Sequence, residues 1–122
     1  GDAFGSPDNI AFDRSGNLFI ATDGSEATVS TCNDQVLVTP TEGGFPRTVK
    51  RFLVGPKEAE ICGPLLSPDD STFFCAVQHP GESGCIVDRT SKAKRTSTWP
   101  TGNYPASAVV AVRRSNGGRI GS

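Results

Sequence analysis

The run Ser6-Pro7-Asp8-Asn9-Ile10-Ala11-Phe12-Asp13-Arg14-Ser15-Gly16-Asn17-Leu18-Phe19-Ile20-Ala21-Thr22-Asp23-Gly24 leaves the backbone few choices. Two short apolar stretches, residues 10–12 and 18–21, flank the polar turn 13–17. Gly16 and Asn17 accept positive φ, and Asp13 can bond its own backbone, so the run reads as a β-hairpin. Asp8 and Asn9 stand just before the first strand and Asp23 ends the second. The polar groups therefore collect at the open end of the hairpin, away from its turn, which is the pattern of a propeller blade.

The hairpin has an echo. Ile61-Cys62-Gly63-Pro64-Leu65-Leu66 leads into Ser67-Pro68-Asp69-Asp70-Ser71 and then Thr72-Phe73-Phe74-Cys75-Ala76-Val77. The offset of about 55 residues lies near the upper range of blade repeats. Asp13, Asp69 and Asp70 occupy turn positions and read as turn formers. Strands are expected at 35–39 and 49–54 between the hairpins, with Glu42-Gly43-Gly44 as a turn, at 108–112 near the end, and as a short piece at 85–88. With 14 glycines and 9 prolines, no window offers a long apolar stripe at helical spacing. The fold class that follows is all-β: antiparallel β-meander blades forming a partial β-propeller of two to three blades over 1–114, then a Gly/Ser-rich flexible tail over 115–122. The loop 89–105 reads as exposed.

A ring of this kind usually closes with about four to eight blades. Together with the absence of methionine, this makes a fragment or a processed chain the expectation, and open blade edges make self-association one too. No apolar run approaches the roughly 18 residues of a membrane span.

The net charge of −1 is unevenly divided. Residues 1–85 hold five Lys/Arg and twelve Asp/Glu (−7), whereas 86–122 hold seven Lys/Arg and only Asp88 (+6). Carboxylates at strand ends in the acidic part suit a cation; the basic part reads as a solvated loop or an anion-attracting segment. No aromatic residues interleave with its charges before Trp99, which argues against nucleic acid. Trp99, before Pro100, reads as a packing residue.

Cys32, Cys62, Cys75 and Cys85 form no Cys-x-x-Cys pair, and His79 is the single histidine, so no zinc pattern exists. Cys62 and Cys75 sit in buried-strand runs and read as free thiols, with a Cys75–Cys85 or Cys62–Cys75 disulfide as the alternative in an exported protein.

Three polar clusters remain: Asp8-Asn9 with Asp23, Glu58-Ala59-Glu60, and Gln78-His79-Pro80-Gly81-Glu82. If the hairpins are equivalent, Asp8 matches Glu60 and Asp23 matches Gln78-His79, and all converge on one mouth of a central channel. Oxygen ligands gathered there suit Ca²⁺, and carboxylates also hold iron. Glu60 precedes a buried strand, where a lone carboxylate is costly unless paired. Glu58 is expected to face solvent, and His79 is either a hydrogen-bonded structural residue or a ligand.

At these clusters the chain resembles a family. Ser-Pro-Asp-Asn-Ile-Ala-Phe-Asp at 6–13, Ala-Glu-Ile-Cys-Gly-Pro at 59–64, and Phe-Phe at 73–74 followed by Ala-Val-Gln-His-Pro-Gly-Glu at 76–82 resemble the carboxy-terminal part of PhoX-type alkaline phosphatases, as do Ser97-Thr98-Trp99-Pro100 and 108–112. The resemblance implies an exported (periplasmic or secreted) propeller that hydrolyses phosphate monoesters with calcium and iron in its channel. It implies Asp8 and Glu60 as metal ligands, with Asn9, Asp23, Gln78 and His79 lining or supporting the site, and catalytic residues not assigned. It also places the family's other ligands, an iron-ligating cysteine among them, outside this sequence, so that the chain alone is inactive. A calcium-dependent lactonase-type propeller and a non-enzymatic interaction module are the alternatives. Three tightly bound metals per subunit point to the phosphatase, one calcium and no iron to the lactonase, and no metal to the module.

Overall fold

The computed structural model describes residues 1–24, 32–44, 47–83 and 95–121. Among them all seven named elements are strands: β1 (Pro7–Phe12), β2 (Asn17–Thr22), β3 (Gln35–Pro40), β4 (Lys50–Val54), β5 (Glu60–Leu66), β6 (Thr72–Gln78) and β7 (Ala108–Arg113). They form a four-stranded antiparallel sheet in the order β1-β2-β3-β4 and a three-stranded antiparallel sheet in the order β5-β6-β7. Each is a meander, with sequential strands paired even where residues 79–107 separate β6 from β7, and the pair is a partial propeller. The short strand expected at 85–88 lies outside the described residues.

Alternation along each strand decides the core. Phe19, Ala21, Val36, Ile61, Phe73, Cys75 and Val77 turn toward the space between the sheets and are buried there with Ala59. Phe19 of β2, Phe52 of β4 and Phe73 of β6 meet at its centre: Phe19 stacks on Phe73 at 5.3 Å, and Phe52 stands edge-on to both at 5.5 and 5.1 Å. Such geometries match ring quadrupoles and add to the burial of apolar area. Trp99 packs at the edge of this core, as its place before proline suggested.

The aspartates of the turns form turns. Asp13 Oδ1 accepts the backbone N–H groups of Ser15 and Asn17 at 2.9 and 2.8 Å, and its Oδ2 accepts Asn17 Nδ2 at 2.6 Å. Asp69 Oδ1 accepts the Ser67 hydroxyl at 2.6 Å and the Ser71 N–H at 3.1 Å, and these bonds, that of Ser67 foremost, hold its carboxyl down at about 2. Asp70 does more than shape its own turn: its Oδ2 accepts the backbone N–H of Arg14 at 3.1 Å, tying the two hairpin turns together.

The last residues depart from the expectation of a flexible tail. Ile120 is 3% exposed and belongs to the core, and its N–H donates to the Asp70 carbonyl at 2.8 Å. Gly121 adopts φ +82°, and a Cβ there would lie 2.9 Å from Asp13 Oδ2, so a side chain is excluded twice over. The glycines around Ile120 permit this close docking on both hairpin turns; composition registers them only as polar and flexible.

Both thiols in the second hairpin are free, so neither disulfide alternative forms. Cys62 opposes Ala76 in the ladder, which puts Cys75 on the other face of the sheet. Burial, then the neighbouring Cys62, pushes the Cys75 thiol up to about 11. Only the thiolate reacts, and for Cys75 the thiolate accumulates only as the pH approaches that value. Iodoacetamide at pH 8 should therefore alkylate partly exposed Cys62 at least about tenfold faster than Cys75, read by peptide mass spectrometry. Equal rates would contradict the burial of Cys75.

Candidate functional site

The hairpin turns lie at one end of the sheets, so the opposite end receives the start of β1 and β5 and the finish of β2 and β6. There Glu60 opens β5 directly across from Gln78, the last residue of β6. Glu60 Oε1 accepts Gln78 Nε2 at 3.1 Å, and Oε2 contacts His79 Nε2 at 3.1 Å. His79 Nδ1 faces Glu82 at 3.4 Å, so one imidazole is set between two carboxylates. A single ring proton can serve only one of them. Gln78 Nε2 also donates to Cys62 Sγ at 2.7 Å, which fixes the amide beside the carboxylate it holds.

A cavity of about 250 Å³ opens at this end, lined by Asp23, Asp34, Glu58, Glu60, His79 and Glu82 among others. Two of its residues hold backbone conformations rare for side-chain-bearing residues, Glu58 at φ +54° and His79 at φ +31°. Strain of this kind persists where surrounding contacts over-determine it and is common at functional sites. Glu58 is not the solvent-facing residue its sequence suggested. Its carboxylate accepts the Thr96 hydroxyl and the Ser83 N–H, and the Thr96 bond chiefly lowers its pKa.

The structure thus brings Glu60, His79 and Asp23 into the cavity lining, with Gln78 hydrogen-bonded to Glu60, and leaves Asp8 and Asn9 apart from them. Asp8 is exposed at the irregularity in β1 between Pro7 and Asn9. Asn9 has a structural partner: its Oδ1 accepts the N–H of Gly63 at 2.9 Å, locking β1 to β5. That N–H is available because β5 breaks register between Cys62 and Leu65, where Gly63 takes φ +59° and Pro64 has no N–H to give the ladder.

Asp34 is a lining residue the sequence reading passed over. It is buried, accepting Thr22 Oγ1 at 2.7 Å and the Gly24 N–H at 2.9 Å. Its position one residue before β3 was the available signal.

Hard oxygen donors fit a hard cation in kind, but not here in number. Among the described residues no three His, Cys, Asp or Glu side chains are gathered closely enough to hold a metal ion. Glu60, Glu58 and Asp34 are each engaged by internal donors.

The profile of the alkaline phosphatase PhoX family matches residues 1–81. The chain belongs to that family. Among solved structures it is similar to Pseudomonas fluorescens PhoX in complex with vanadate, a transition state analogue, with 34% identity and a TM-score of 0.72. That similarity covers 94% of this chain and 19% of the other, so the chain spans about a fifth of the length of the PhoX structure it matches. No curated protein matches. PhoX membership agrees with the motifs at both hairpins, since the matched region contains the whole of both and ends just past His79. Among the described residues no helix is long and apolar enough to cross a membrane.

Proposed function

We propose that this chain contributes one part of a PhoX-type site that hydrolyses phosphate monoesters with calcium and iron, and that it does not turn over substrate alone. The observation that carries the reading is the acidic cavity at the open end of both hairpins, with Glu60 held from two sides by Gln78 and His79. Asp8 and Glu60 are the proposed metal ligands, with Asn9, Asp23, Gln78 and His79 as supporting residues. Metal ions supply such a site with charge neutralisation on the phosphoryl oxygens and an activated oxygen nucleophile. This chain's own contribution is positional: Gln78 and His79 restrain the Glu60 carboxylate, and Glu82 restrains the imidazole from its other nitrogen. The location that accompanies this reading is periplasmic or secreted.

Self-association belongs to the same proposal. Leu65 on β5 and Val109 on β7 are 63% and 74% exposed on the outer face of the second sheet, where apolar side chains call for a cover.

Metal analysis, calcium titration calorimetry and solution mass test the reading together. A full Ca²⁺ site takes about six to eight oxygen ligands, so the isolated chain should bind no tighter than roughly the millimolar class of extracellular sites. Glu60→Gln should abolish that binding, and turnover of p-nitrophenyl phosphate should be negligible. Sedimentation should show species heavier than a monomer. Tight calcium binding that survives Glu60→Gln would place the metal site elsewhere, and a stable monomer at high concentration would remove the self-association.

A further inference from the structure

Two carboxylates of the acidic cavity stand at the ends of paired strands. Asp23 is exposed, one residue beyond β2, whereas Asp34, one residue before β3, is 5% exposed. Because β2 pairs with β3, both residues come to the same end of the sheet. A buried carboxylate is tolerated where charge-assisted hydrogen bonds satisfy it. The donors that Asp34 takes lie on either side of Asp23. The Thr22 hydroxyl donates to Oδ1 at 2.7 Å, and the Gly24 N–H donates to Oδ2 at 2.9 Å.

Asp34 is itself fixed in place. Its carbonyl accepts the N–H of Gly55, just past β4, at 2.8 Å, and neighbouring Asn33 donates Nδ2 to the Gly55 carbonyl at 3.1 Å. No side chain fits at Gly55, where a Cβ would lie 2.7 Å from Ile61 Cδ1 and 3.1 Å from the Asp34 carbonyl. Thr22 is 1% exposed, and its Oγ1 accepts the Gln35 N–H at 3.0 Å while donating to Asp34. That hydroxyl therefore has its proton directed at the carboxylate. The N–H of Asp23 donates to the Ser6 carbonyl at 3.1 Å. Residues 22, 23 and 24 are each anchored, and the anchors at 22 and 24 lead to one buried carboxylate.

We propose that Asp34 is a positioning residue: its two oxygens grip the residues before and after Asp23, and so hold Asp23 at the mouth of the acidic cavity. The use made of Asp23 there, support of a bound cation, rests on the function proposed above. Moving residue 23 away from the cavity breaks a bond to a buried charge and leaves that charge short of a donor, which is costly. A group held in place before its ligand arrives also loses less conformational freedom on binding.

The test is a calcium chloride titration of the ¹⁵N-labelled full chain followed by NMR, with hydrogen exchange at the Gly24 amide as the readout that needs no metal. Asp34→Asn turns an amide N–H₂ toward one of the two donors, so the Gly24 amide should exchange at least about tenfold faster. Thr22→Val removes the donor to Oδ1 and leaves every charge in place. It should weaken calcium binding by about three- to tenfold, the size of one hydrogen bond, and Thr22→Ser should restore it. In an Asp23→Asn background Thr22→Val should have no further effect, because the grip acts through Asp23. Ile120→Val, which loosens the opposite end of the sheets, is the control for general destabilisation. Gly24 exchange that is equal in wild type, Asp34→Asn and Thr22→Val overturns the proposal, as does a Thr22→Val loss that persists in full without the Asp23 carboxylate. Absence of any calcium-induced shift in the wild type removes the cation from this cavity, and the exchange rates alone then decide whether Asp34 holds the segment. Thr22→Val against Thr22→Ser carries that comparison if Asp34→Asn does not fold.

Discussion

Phe73→Ala should destabilise the chain by about 3–5 kcal/mol, the range for removing a buried aromatic ring and leaving a cavity. Phe73 is fully buried and contacts both other members of the central aromatic cluster. It comes from the three-stranded sheet, whereas Phe19 and Phe52 come from the four-stranded one. The substitution therefore removes the ring that joins the sheets, and neighbours anchored in two separate ladders cannot collapse freely into the space. A domain of this size has only about 5–15 kcal/mol of stability, so the variant should sit near the edge of folding. Urea unfolding should show a lower midpoint with an unchanged slope. A loss under about 1 kcal/mol would mean that the two sheets do not depend on this contact.

Ile120→Ala should cost about 2–5 kcal/mol, although a Gly/Ser-rich terminal segment ordinarily tolerates any change. The side chain is buried among core residues, and the adjoining backbone is tied to Asp70 and approaches Asp13 closely. Ile120→Val should cost less, about 0.5–1.5 kcal/mol. Removal of residues 115–122 should cost at least as much as Ile120→Ala, because it takes the hydrogen bond to Asp70 as well. The same urea measurement checks all three, and a truncated chain as stable as the whole would show that Ile120 does not close the turn end of the core.

The tail and the site bear differently on the sheets. Ile120 clamps the end where Asp13 and Asp70 shape the turns; Glu60, Gln78 and His79 stand at the other. Loss of the clamp should therefore reach the acidic cavity only through the strands. Calcium affinity in Ile120→Val should follow the wild type while stability falls.

Much of this was legible in the chain. The two hairpins follow from alternation and from the Asp, Gly and Asn residues in their turns, because those are local preferences that act over a few residues. The strands at 35–39, 49–54 and 108–112 were readable for the same reason, and their bounds shift by only a residue or so. That Glu60 and Gln78-His79 share one end was legible as well, since they flank a single hairpin, whose ladder sets Glu60 opposite Gln78.

What the sequence could not announce depends on which distant segments meet. Asn9 adjoins Asp8 in sequence, but the partner of its Oδ1 is the N–H of Gly63, released by a bulge in another hairpin. Glu58 was expected to face solvent; Thr96, from 38 residues away, bonds its carboxylate. Arg95 read as one charge in a solvated basic loop until Tyr104 and Asn103 fixed its guanidinium. Local propensity determined the strands and turns, where hydrogen-bonding partners lie a few residues apart. Tertiary packing alone decided the fate of Asn9, Glu58, Arg95 and Ile120, because a polar or terminal residue takes its role from whichever distant partner the folded chain brings to it.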